Sequence, residues 1–215
     1  MRTGGIKITC TNILILLVLN FSASSQPPSS KERKLFTNED YPFIDRTGFI
    51  QITNRLDPDN WKMQGKAFWA VENEEIVGRQ DPNENEDSWL FSSTEWSDFV
   101  LELEFFVPEK CNSGIGIRMP KDSTGSPDVY GYEVQISDIP KRKLTGSLLH
   151  HANQCNQLAI ICEGEHIRVY LNRQKILDEI VKGSLKGRIG LQVPKDPKFA
   201  IQVVRFRNLL VKELN

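Results

Sequence analysis

The feature that most constrains this chain is a two-residue alternation of apolar and polar side chains, repeated in short runs. It appears in Phe99–Val107, Gly114–Met119, Tyr130–Ser137, Leu158–Cys162, Ile167–Leu171, Gly187–Val193 and Phe199–Phe206. That period places successive side chains on opposite faces of a strand. Turn-forming residues separate the runs: Pro-Glu-Lys at 108–110, Lys-Asp-Ser-Thr-Gly-Ser-Pro-Asp at 121–128, Glu-Gly-Glu at 163–165 and Pro-Lys-Asp-Pro at 194–197. No helical 3.6-residue pattern runs beyond two turns. Short strands punctuated by turns predict an all-β fold, an antiparallel β-sandwich or jelly roll. A domain of roughly 180 residues suits one jelly roll better than two small sandwiches.

The chain opens differently. Arg2 and Lys7 precede the unbroken apolar run Ile13–Leu19, and Ser22-Ala23-Ser24-Ser25 follows it. A basic start, a short apolar run and small residues read as a secretory signal over 1–25. The run is too short to span a bilayer, which takes about 20 residues. Residues 26–40, opening on Gln-Pro-Pro-Ser-Ser-Lys-Glu-Arg-Lys, read as a polar linker, and 41–215 as the folded domain. The expected location is secreted or periplasmic, with no stable membrane span once the signal is removed.

Export would place the remaining cysteines in an oxidising compartment. These are Cys111, Cys155 and Cys162, an odd number. Cys155 and Cys162 bracket a predicted strand that would hold them about 23 Å apart. A disulfide needs Cα atoms within about 7 Å, so that pair is excluded. Cys111 with either partner stays open. No Cys-x-x-Cys or His-x-x-x-His spacing argues for zinc; no cofactor is expected, and a divalent metal stays open.

Charge argues against one class of partner. The chain has 27 Lys and Arg against 28 Asp and Glu, net −1. Removing residues 1–25 takes two basic and no acidic residues, leaving −3. A nucleic-acid binder would carry a basic patch and a high pI.

The faces of the strands point to a site. In 99–107, Phe99, Leu101, Leu103, Phe105 and Val107 share one face, and Val100, Glu102, Glu104 and Phe106 the other. In 114–119, Ile115, Ile117 and Met119 are core-like, while Gly114, Gly116 and Arg118 face away. In 130–137, Tyr132, Val134 and Ile136 are core-like, while Gly131, Glu133, Gln135 and Ser137 face away. One account is a solvated outer sheet face. The other is a concave sugar-binding face. Glycine is a poor strand residue, so Gly114 and Gly116 suggest the close approach of a ligand. Glu133 and Gln135 would stand about 6.6 Å apart, a span suited to vicinal hydroxyls.

A set of motifs in fixed order extends this reading. They are Trp-Ala-Val-Glu-Asn-Glu-Glu-Ile-Val-Gly (69–78), Asp-Phe-Val-Leu-Glu-Leu-Glu-Phe (98–105), Asn-Ser-Gly-Ile-Gly-Ile-Arg (112–118), Gly-Tyr-Glu-Val-Gln-Ile-Ser-Asp (131–138), Thr-Gly-Ser-Leu (145–148), Gly-Arg-Ile-Gly-Leu-Gln (187–192) and Phe-Arg-Asn-Leu-Leu-Val-Lys-Glu-Leu (206–214). Over residues 48–214 the chain resembles the 3-keto-disaccharide hydrolase domain family. The resemblance implies a concanavalin A-like fold of the lectin/glucanase type and a carbohydrate partner. It implies a hydrolase or lyase acting on 3-keto-glycosides, with a non-catalytic carbohydrate-binding module as the alternative. It places Asn112, Arg118, Glu133, Gln135 and Asp138 at the sugar site. Glu133 or Asp138 would be the base and Arg118 the stabiliser of the enolate. An ion pair of Arg118 with Glu104 or Glu133 is the competing role. Glu104, Gly114, Gly116 and His150, one of the pair His150-His151, complete the candidate substrate contacts. The chain departs from the family at Leu149 (usually Tyr), Cys155 (Trp), Phe106 (often Arg) and Val193-Pro194, where a His is frequent.

Overall fold

The structure is a computed structural model that describes residues 47–52, 59–83, 86–108, 112–121, 131–137, 154–195 and 203–214. Among them are thirteen strands and no helix: β1 (Ile50–Gln51), β2 (Trp61–Gln64), β3 (Phe68–Glu72), β4 (Glu75–Arg79), β5 (Ser88–Trp96), β6 (Phe99–Phe106), β7 (Asn112–Met119), β8 (Tyr132–Ser137), β9 (Asn156–Glu163), β10 (His166–Leu171), β11 (Gln174–Ile180), β12 (Gly187–Val193) and β13 (Val203–Glu213). They build two antiparallel sheets. The larger has eight strands, ordered β11-β10-β9-β6-β13-β4-β3, with β1 also pairing on β13. The smaller has five, ordered β2-β5-β12-β7-β8.

The alternating runs became strands at the expected places. The last is described from Val203, and Tyr130 and residues 199–202 lie outside the described set, as do the expected signal and linker. The strands β2–β5 and β11 carried weaker sequence signals. β5 is buried over most of its length, so Ser-Trp-Leu-Phe-Ser shows no clean alternation. Two hairpins also turn without the usual Asn-Gly. Asn73-Glu74 (φ 50° and 65°) joins β3 to β4, and Asn172-Arg173 (φ 49° and 67°) joins β10 to β11. Paired positive φ is the two-residue hairpin geometry, here taken by Glu and Arg where glycine is customary.

The core lies between the sheets, which pack about 10 Å apart. The larger sheet supplies Phe99, Leu101, Leu103, Phe105, Ile160, Phe206 and Val211, and the smaller supplies Leu90, Ile115, Ile117, Ile136, Ile189 and Leu191. A second apolar layer of Val100, Ala159, Ile161 and Tyr170 sits apart from that core, with Phe49 and Leu214 packed on it. That layer explains why Val100 can be apolar on the strand face opposite Phe99.

The smaller sheet changes register at one level. Arg188 pairs with Met119 and Gly190 with Gly116, so Ile117 and Arg118 together oppose Ile189. On the other side, Arg188 pairs with Glu95 and Gly190 with Phe91, leaving three residues of β5 opposite Ile189. Ser92 Oγ fills the interrupted ladder by accepting from the Ile189 N–H at 3.0 Å. An extra residue in a strand reverses the alternation beyond it. Arg118 therefore adopts φ 52° and turns off the outer face. Met119, expected in the core, lies instead with Trp89 and Phe91.

Candidate functional site

The site is the face of the five-stranded sheet turned away from the core. Register fixes its contents. Gly190 on β12 stands between Phe91 on β5 and Gly116 on β7, and Gly116 faces Glu133 on β8. In the neighbouring row, Gln192 pairs with Trp89, and Gly114 pairs with Gln135. Three strand spacings separate Phe91 from Glu133, about 14 Å.

The glycines let the flanking side chains lie across the centre. A Cβ on Gly190 would stand 2.7 Å from Phe91 Cε1 and 3.0 Å from Trp89 Cε3. One on Gly116 would meet Trp89 Cζ3 and Met119 at 3.1 Å, and one on Gly114 would collide with Glu133 Oε1. The sequence suggested that Gly114 and Gly116 leave room for a ligand. The room is taken by the protein's own rings and by the Glu133 carboxylate. Side chains on β5 and β8 thus converge over β12 and β7.

The remaining contacts orient this layer. Trp89 and Phe91 stack at 5.8 Å with planes 5° apart. The Arg188 guanidinium lies 4.3 Å over the Phe91 ring, and its Nη2 donates to the Pro120 carbonyl at 3.1 Å. Gln135 Nε2 donates to Asn112 Oδ1 and to the Ser113 carbonyl, both at 2.7 Å. Gln192 is anchored through its backbone carbonyl, which accepts from Ser113 Oγ at 2.8 Å.

The structure therefore gathers Asn112, Gly114, Gly116, Glu133 and Gln135 on one face. Arg118 is elsewhere: fully buried, it donates from Nε to the Ser97 carbonyl at 2.9 Å and from Nη1 to the Gly164 carbonyl at 2.5 Å. Its Nη2 meets Asp98 Oδ1 at 2.9 Å, so its ion pair is with neither Glu104 nor Glu133. Glu104 belongs to the larger sheet, where Arg207 Nε donates to its Oε2 at 2.7 Å and Asn208 Nδ2 at 3.1 Å. β6 does not share a sheet with β7 and β8, so its polar face looks out on the far side of the sandwich. Asp138 and His150 lie outside the described residues.

Phe91, Arg188, Gly190 and Gln192 were not singled out from the sequence, and Met119 was expected in the core. A usable signal existed for three of them. In Gly187–Val193, Arg188, Gly190 and Gln192 alternate with the core residues Ile189 and Leu191. Phe91 had none, because β5 is apolar on both faces.

The two described cysteines carry no disulfide. Burial pushes the Cys162 thiol up to about 12. Burial, and then the Glu104 carboxylate beside it, also raise Cys155. Neither is poised as a nucleophile at neutral pH. Among the described residues no three His, Cys, Asp or Glu side chains gather to hold a metal ion.

Two antiparallel sheets in this order define a jelly roll of the lectin and glucanase type. The chain belongs to the family described as the 3-keto-alpha-glucoside-1,2-lyase-like domain, which it matches over residues 48–212. Solved structures share the fold. A proposed glycosyl hydrolase from Parabacteroides distasonis is 19% identical, with a TM-score of 0.57 over 77% of this chain and 99% of that one. The carbohydrate binding module CBM66 from Bacillus subtilis is 21% identical, with a TM-score of 0.53 over 72% and 96%. A Bacillus licheniformis beta-glucanase is 11% identical, with a TM-score of 0.52 over 80% and 100%. No curated protein matches the sequence.

Proposed function

We propose that the protein is a secreted or periplasmic enzyme that cleaves 3-keto-glycosides on the outer face of the five-stranded sheet, with Glu133 as base. The observation that carries this reading is the Glu133 carboxylate, folded over Gly114 at the centre of the face with Oε1 buried. A ketone at C3 of the sugar acidifies the C2 hydrogen. Glu133 takes that proton, the enolate's electron pair expels the C1 substituent, which leaves with a proton, and water adds across the C1–C2 double bond. Holding a carboxylate at the reacting carbon is the general-base part of this chemistry. The enolate oxygen needs a cation or a hydrogen-bond donor. Arg188 takes the role that the sequence suggested for Arg118, which is committed to Asp98. Asp138, directly after β8, remains the second carboxylate of the proposal.

The second reading is sugar binding without catalysis. It is favoured by the stacked Trp89–Phe91 pair on the same face and by the binding-module fold. The test is release of a chromogenic leaving group from a 3-keto-α-glucoside. Glu133→Gln, which keeps the side chain's size, should lower turnover by about 100-fold or more if the base is lost. Saturable binding by the wild type without release would leave the binding module in its place.

A further inference from the structure

Two polar atoms on this face are stranded. Trp89 Nε1, a donor, and Gln192 Oε1, an acceptor, are both buried and have no hydrogen-bond partner. Their residues are 1% and 5% exposed and stand opposite each other across β5 and β12. Buried polar groups are nearly always satisfied, and leaving two unmatched on neighbouring strands costs stability. The Cε3–Cζ3 edge of the indole rests on Gly190 and Gly116. The opposite edge, which bears Nε1, is therefore turned away from the strand backbones.

We infer that Trp89 and Gln192 form a hydroxyl-reading subsite that recognises the leaving group of the sugar substrate. The inference rests on the proposed function and adds its specificity. One donor and one acceptor on paired residues match a group that is both at once, and an alcohol is that group. A cation, a carboxylate or an apolar ring would leave one or both atoms unmet. The position fits a second unit of the ligand. The Glu133 carboxylate lies over Gly114 of β7, and the Trp89 ring reaches from β5 across Gly190 of β12 to Gly116 of β7. A sugar whose C2 meets Glu133 would extend its C1 substituent across β12 towards the pair. A substituent lacking the hydroxyl would be rejected, because both protein atoms would stay buried and unpaired.

The test compares two 3-keto-α-glucosides, one with glucose as leaving group and one with phenol. The variants are Trp89→Phe, which removes the donor and keeps a ring, and Gln192→Met, which removes the acceptor at similar size. Each should raise KM for the glucosyl substrate about tenfold more than KM for the phenyl substrate. Gln192→Met deletes an unmet acceptor together with the long Nε2 bond to Asp87 Oδ2 at 3.5 Å, so its melting temperature should change little. Equal KM changes for both substrates, or none for either, would overturn the inference. If the wild type cleaves neither substrate, the proposed function itself falls and the subsite with it.

Discussion

Asp98 Oδ1 accepts two hydrogen bonds at once, from Arg118 Nη2 at 2.9 Å and from the Gly164 N–H at 3.0 Å. With the Arg118 bonds to the carbonyls of Ser97 and Gly164, this joins the β5–β6 turn, the β9–β10 turn and the bulge of β7 through one guanidinium. Arg118 thereby ties the two sheets together at one end of the sandwich.

Arg118→Ala should therefore act on stability. It strands two carbonyls and a carboxylate that is itself 41% exposed, so the cost should be about 3 kcal/mol, at the low end for a broken buried pair. Urea unfolding measures it. A variant of full stability that binds or cleaves sugar poorly would return Arg118 to the site.

Glycine substitutions should sort by what stands over them. A Cβ on Gly190 meets the Phe91 ring at 2.7 Å, and that ring is held by Trp89 and Arg188. Gly190→Ala should cost about 1–3 kcal/mol. Gly116→Ala meets Met119 and the Trp89 ring no closer than 3.1 Å and should cost less. Thermal melts of the two variants check the order.

Glu104 gives a pH signature. Burial raises its pKa, but the hydrogen bonds from Arg207, Cys155 and Asn208 and the Arg207 charge together outweigh that, and the carboxyl sits below its ordinary 4.5. A carboxylate depressed by folding stabilises the native state above the unfolded pKa, and that contribution is lost as pH falls through the folded value. Urea midpoints of the wild type should drop below about pH 4.5, and Glu104→Gln should flatten that part of the curve. Parallel curves would refute the assignment.

Cys162 should be inert in the folded protein. With its thiol pushed up to about 12, almost none is thiolate at pH 8. Iodoacetamide at that pH should leave Cys162 unmodified until denaturant is added, as read by mass spectrometry of its peptide. Rapid labelling without denaturant would contradict the burial.

The fold was legible wherever one strand face is core and the other polar, as in β6 and β8. It was obscured where both faces are buried, as in β5, and where Glu74 and Arg173 occupy turn positions that glycine usually marks. The site was half legible. Glu133 and Gln135 alternate cleanly with core residues, so period two placed them on the outer face, while Asn112 came from the family resemblance. Arg118 failed because one bulge residue inverts the parity that the argument relies on. Glu104 failed for a different reason: alternation gives the face of a strand and says nothing about which sheet the strand joins.

β12 is buried along its whole length yet places only Arg188 and Gln192 beside a bare glycine on the outer face. The strand that supports the sheet is thus almost silent about what the face displays, and the vocabulary is written on β5 and β8. Selection can rewrite those flanking words one at a time while the central ladder stays as it is. Relatives that share this scaffold are free to diverge in what they hold without first having to re-invent how they fold.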